Sequence, residues 1–148
     1  MIKTFKGKLD IGLQEKIHLS TNDGLTGYKI NNFQIIPSTP SVGEVHYVAK
    51  IYTTDQTGSI TAEVDLSESD LLAVIYYQDQ PAAAYPVSTV IIQDNEIFNQ
   101  DIFVYITDAQ GGTVACNFYV ELEQFKIDLN SSTYHTLKNI RSKTQTGI

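Results

Sequence analysis

Any chemistry in this 148-residue chain would fall to its carboxylates, three histidines and one cysteine. His18, His46 and His135 are far apart, and there is no His-x-x-x-His, no Cys-x-x-Cys and no glutamate at ligand spacing, so no zinc site is expected. No Gly-x-Ser-x-Gly is present, and Gly111-Gly112 is too short to cradle a phosphate. Two carboxylate pairs, Glu63 with Asp65 and Glu121 with Glu123, have i, i+2 spacing. On a strand that spacing puts both groups on one face, roughly 6–7 Å apart, within the separations that glycosidases use. Solvated strand faces carry such pairs constantly. Asp65 to Asp70 and Asp94 to Glu96 offer oxygens to Ca²⁺ without matching the EF-hand spacing. A lone cysteine allows no intrachain disulfide, and Cys116 falls on an apolar strand face with no base nearby, which suits a buried small hydrophobe. The expectation is a chain with no catalytic residue, no metal and no cofactor.

Length suits one domain, 1–148, large enough to bury roughly 70% of the surface its unfolded form exposes. No segment approaches the ~20 apolar residues of a membrane span. The positive N-terminus has no apolar run behind it, so it is not read as a signal peptide, and synthesis and assembly in a cytoplasm are expected. Charge is distributed unevenly. Between Lys50 and Lys126 lie twelve acids and no basic residue. The last 18 residues hold Lys138, Arg141 and Lys143 with no acid, so the remainder carries −10 of the total −7. Such a body repels nucleic acid, whose binding depends on neutralising phosphates. Contacts between oppositely charged protein surfaces fit better, and the alternative is that the acids serve only to keep the protein in solution.

The elements that would position these groups are mostly strands. Gln100 to Asp128 reads as the organising hairpin: Ile102, Val104 and Ile106 alternate with Phe103, Tyr105 and Thr107, and Val114, Cys116, Phe118, Val120 and Leu122 alternate with a mostly polar set. Asp108 to Gly112 supplies the turn. Lys3 to Leu13 suits an edge strand guarded by lysines, with residues 1–8 as an N-terminal arm. Lys16 to Leu19 suits a second short strand. In Tyr28 to Ile36 the alternation breaks at Asn31-Asn32, which predicts a β-bulge. Val45 to Thr53, Leu71 to Tyr77 and Val87 to Ile92 are further strands, and Ile60 to Leu66 gives the cleanest period-2 signal of all. Asn130 to Thr133 offers helix N-caps ahead of Tyr134, Leu137, Lys138, Ile140 and Arg141, so residues 131–148 are read as a C-terminal helix and tail. The fold class is therefore all-β: an antiparallel β-sandwich, jelly-roll-like or an open barrel, of about eight to ten strands with one short C-terminal helix.

Nine tyrosines and no tryptophan stand in the chain. Tyr52, Tyr105 and Tyr119 have the polar parity of their strands and would form an aromatic strip, suited equally to a subunit interface or to ordinary cover by loops. With the basic ends, they give an interface set of Lys3, Lys6, Lys8, Tyr52, Tyr105, Tyr119, Lys138, Arg141 and Lys143.

Lys3 to Leu13, the segment Tyr28-Lys29-Ile30-Asn31-Asn32-Phe33-Gln34-Ile35, and Phe125 to Leu129 running into Thr136 to Arg141 together resemble small virion structural proteins of tailed phages of marine bacteria. The likeness is one of size, strand-rich texture and sequence style over most of the chain. It implies a non-enzymatic β-sandwich present in many copies on a virion assembled in the host cytoplasm, with capsid decoration as its role, or a neck or tail component. Partners would be its own copies, as a homo-oligomer, or the major capsid protein, with neither nucleic acid nor membrane. A carbohydrate-binding or adhesin module is the alternative, with the loop Gln78 to Pro86 and its Tyr85 as the place for a glycan.

Overall fold

Alternation of apolar and polar residues makes each strand a two-faced object, and two sheets bury their apolar faces against each other. The computed structural model describes residues 1–41, 43–80 and 86–145, with the side chains of all but 139 and 141–145. It contains eight strands: β1 (Ile2–Leu9), β2 (Gln14–Ile17), β3 (Thr26–Pro37), β4 (Val45–Tyr52), β5 (Leu71–Asp79), β6 (Val87–Ile92), β7 (Ile102–Asp108) and β8 (Cys116–Lys126). Helix α1 (Leu129–Gln145) follows. The smaller sheet has the order β1-β8-β3 and the larger β2-β7-β4-β5-β6, with every ladder antiparallel. This is an antiparallel β-sandwich. Strands β1 with β8, β2 with β7 and β4 with β5 pair as in a jelly roll. Strand β6 departs from that scheme, for it pairs with β5 instead of β3.

One core cluster fills the gap between the sheets. In the smaller sheet Phe5, Val120 and Phe33 stand side by side, as do Leu9 and Cys116. In the larger sheet Ile51, Val104 and Ala73 do the same. The bulge predicted at Asn31-Asn32 is present as a register shift between Ile30 and Asn32 against β8, and it returns Phe33 to the buried face. Strand β1 is an edge strand, as its lysines suggest.

The hairpin of residues 100–128 is not formed. Its turn exists: the Gly111 amide donates to the Asp108 carbonyl (3.1 Å), the Gln110 amide donates to the Asp108 carboxylate (2.9 Å), and Gly111 has φ 80°. The strands on either side belong to different sheets, however, so the chain arches from one layer to the other. Alternation shows which way side chains face and leaves open which neighbour completes the ladder. Here β7 is buried on both faces and takes β2 and β4, while β8 takes β1 and β3. Sheets in a sandwich lie about 10 Å apart, a gap that residues 109–115 cross.

The segment Ile60 to Leu66 is not a strand either. It crosses the outer face of the larger sheet, where its carbonyls take side-chain donors in place of a ladder. The Tyr105 hydroxyl donates to the Thr61 carbonyl (3.1 Å), and the fully buried Lys50 ammonium donates to the Glu63 carbonyl. Ile60 packs on a second small core of Tyr52, Leu71 and Tyr105.

Helix α1 starts earlier than Asn130. Its cap is Asp128, whose carboxylate accepts from the Ser131 amide (2.7 Å). The helix docks through polar groups: the buried Asn99 amide donates to the carbonyls of Gly24 (3.1 Å) and Ser132 (3.3 Å) and to the Thr136 hydroxyl (3.1 Å). The Ser132 hydroxyl adds a bond to the Gly24 carbonyl at 2.7 Å. Its apolar residues point away, with Tyr134 59% and Leu137 56% exposed.

Candidate interaction surfaces

Register decides which of the nine interface residues meet. Opposite the buried positions of β1 are Lys6 and Lys8, both exposed. Lys6 pairs across the sheet with Tyr119, which pairs in turn with Gln34, and Lys8 pairs with Asn117 and so with Ile36. These residues share the outer face of the smaller sheet. They border a cavity of about 870 Å³ with no carboxylate among its described lining residues. Its apolar wall is formed by Phe33, Ile35, Ile75, Tyr77, Val90 and Phe118, and Gly7 lies where a Cβ would come within 2.9 Å of the Phe118 ring. The lining takes residues of both parities from β1, β3 and β8, so the cavity runs from the gap between the sheets to the outer face. It is open there because three strands face five. Strands β3 and β6 each end their sheets, and they stand beside one another without a ladder between them.

Tyr52 and Tyr105 do not join Tyr119 in an exposed strip. They are buried against each other with ring centroids 5.7 Å apart, beneath the 53–70 segment. The polar parity of a strand is exposed only where nothing crosses it, and here Ile60 and Thr61 do. The Tyr52 hydroxyl donates to Glu68 (3.1 Å), and burial raises the Tyr52 phenol far above its ordinary range. The same burial raises the Glu68 carboxyl. Lys50 stands over the Tyr105 ring with its ammonium 5.6 Å from the centroid. A sequence reading missed this buried lysine, for which only the apolar flanks Ala49 and Ile51 gave a sign.

Lys3 has the inward parity of β1, opposite Leu122, and does not share the face of Lys6 and Lys8. Lys138 forms an ion pair with Glu96 of the same chain. The side chains of Arg141 and Lys143 lie outside the described residues. So does most of the glycan loop, since residues 81–85, with Tyr85, are not described.

Several of the remaining chemical groups have structural partners. Glu63 and Asp65 share no strand face, while Glu121 and Glu123 share the outer face of β8, where Glu123 pairs with Lys29 at 3.3 Å. Asp65 accepts from the amide and hydroxyl of Ser67 at 3.0 and 2.6 Å, which hold its carboxyl below the usual range. His46 bonds Glu44 (2.6 Å), and His18 approaches Asp101 at 3.8 Å. Among the described residues no three His, Cys, Asp or Glu side chains stand close enough together to hold a metal ion. Burial pushes the Cys116 thiol up to about 12, which removes thiolate reactivity near neutral pH. No helix among the described residues is long and apolar enough to cross a membrane.

What the arrangement offers is contact surface: a lysine and tyrosine face beside an apolar cavity, and a helix whose apolar residues face outward. No family model, curated protein or solved structure matches the chain.

Proposed function

We propose that this chain is a non-enzymatic structural protein of a virion, working through protein–protein contacts with its own copies or with the major capsid protein, and that capsid decoration is its place. The observation that carries the contact role is the orientation of α1. A helix docked for stability alone would turn Tyr134 and Leu137 inward. This one is held by Asn99, Ser132 and Thr136, and leaves both of those large side chains more than half exposed. Exposed apolar residues on an anchored element, followed in sequence by Arg141 and Lys143, suit an acidic protein surface with apolar recesses. The virion setting is supported by the resemblance of the sequence alone.

The test is fractionation. When the chain is produced from its native genome, a density gradient of the lysate, probed with an antibody to the chain, should show it sedimenting with assembled particles. Replacing Tyr134 and Leu137 with Ser should release it to the top of the gradient and leave its melting temperature nearly unchanged. A wild-type chain found only in the low-density fractions overturns the reading.

A further inference from the structure

Because the sheets pack face to face, their outer faces point in opposite directions. The smaller sheet turns out Lys6 and Lys8, both exposed, with Tyr119 and Ile36 beside them. On the opposite side, the cover of the larger sheet presents Glu63 and Asp65, both exposed, alternating with Val64 (44% exposed) and Leu66 (52% exposed). Both charged pairs have the same two-residue interval, and their signs are opposite. The acidic segment has an alternating pattern but no partner strand, and it is pinned from beneath at the carbonyls of Thr61 and Glu63. Its side chains are thus presented on a fixed backbone, which lowers the entropy lost on docking.

We propose that the Glu63–Leu66 segment of one copy docks on the Lys6–Lys8–Tyr119 face of a second copy, so that copies join head to tail. Glu63 and Asp65 meet the two lysines, while Val64 and Leu66 cover Ile36 and the Tyr119 ring. The contact depends on the reading above only in taking the chain's own copies as partners. Since the two surfaces differ, the contact is heterologous. It generates a ring if the rotation closes and an open stack if it does not.

The charge pattern gives a decisive test by light scattering. The wild type should self-associate at low ionic strength and weaken toward 1 M salt, where the Debye length falls to about 3 Å. The variant Lys6→Glu/Lys8→Glu and the variant Glu63→Lys/Asp65→Lys should each lose association by about tenfold or more. Mixed in equal amounts, the two should associate again, because each supplies the sign that the other's altered surface now needs. Should the second variant melt early, Glu63→Lys alone replaces it, as the hydrogen bonds of Glu63 within the chain use its backbone amide and carbonyl. A mixture that stays monomeric, or a wild type that is monomeric at low salt, overturns the contact. A monomer that still sediments with particles would remove this contact and leave the decoration role standing. Salt-sensitive stacks in a chain absent from particles would do the reverse.

Discussion

Gly7 and Phe118 pack closely on the open side of the sandwich, and their contact makes a quantitative prediction. Phe118 is 2% exposed and pairs in register with Gly7. Cutting it to Ala removes a buried ring, which costs about 3–5 kcal/mol in closed cores. Because this ring also borders the 870 Å³ cavity, part of the space it vacates is already open, so the cost belongs near about 3 kcal/mol. Gly7→Ala in the wild type sets a Cβ at 2.9 Å from the ring and 3.2 Å from a Glu15 carboxylate oxygen, an overpacking that costs about 1–3 kcal/mol. In the Phe118→Ala background the ring is gone, and the same methyl should be neutral or stabilising, since Ala suits a strand better than Gly by about 0.5–1 kcal/mol. Urea denaturation of the four proteins measures the coupling. An interaction energy of at least about 1 kcal/mol is expected. Additivity within about 0.5 kcal/mol, or a Phe118→Ala loss below about 1 kcal/mol, would refute the packing argument.

Two further outcomes follow from local geometry. Gly111 has φ 80°, so Gly111→Val should lower stability by about 1–3 kcal/mol in a denaturant melt, while Gln110→Ala, at an exposed position, should stay within about 0.5 kcal/mol. Asp101 ties β2 to the body: burial raises its pKa, but the Ser20 and Leu19 amides and Lys16 outweigh that and bring the carboxyl to about 2. A depressed folded value means that the stabilisation is complete above the ordinary carboxylate range and is lost as pH falls from about 4 through about 2. Melts between pH 5 and pH 2 should show this acid limb in the wild type and a flatter one in Asp101→Ala, and identical limbs would contradict the assignment.

Strand positions were legible in the sequence wherever one face is buried and the other wet. Strand β8 alternates because its odd residues are half in water, and the Asn31-Asn32 bulge could be located because it breaks that alternation. Pairing was not legible. The turn at Asp108 to Gly112 has the chemistry of a hairpin, yet the burial of both faces of β7 decides that its neighbours come from elsewhere. Ile60 to Leu66 shows the other limit: period-2 patterning states a preference of side chains, and a strand also needs a bare edge to join. Of the candidate residues, Lys6, Lys8 and Tyr119 meet because neighbouring register positions place them together. Tyr52 and Tyr105 leave that set because a distant loop covers them, and local pattern does not tell loop cover from an interface.

Strand β8 is the middle of the smaller sheet and leaves a ribosome only after both of the strands it joins. The ladder that joins Ile2 to Glu123 closes a long stretch of chain, at an entropic cost about 2–3 kcal/mol beyond that of a short loop. During synthesis, at about 5–20 residues per second, β1 and β3 therefore wait several seconds with Phe5, Ile30 and Phe33 uncovered. Nascent chains crowded on one message are most prone to tangle in that interval. Lys3, Lys6 and Lys8 repel their counterparts on neighbouring chains throughout it, a gatekeeping duty that ends once Cys116 to Lys126 slides between the two waiting strands.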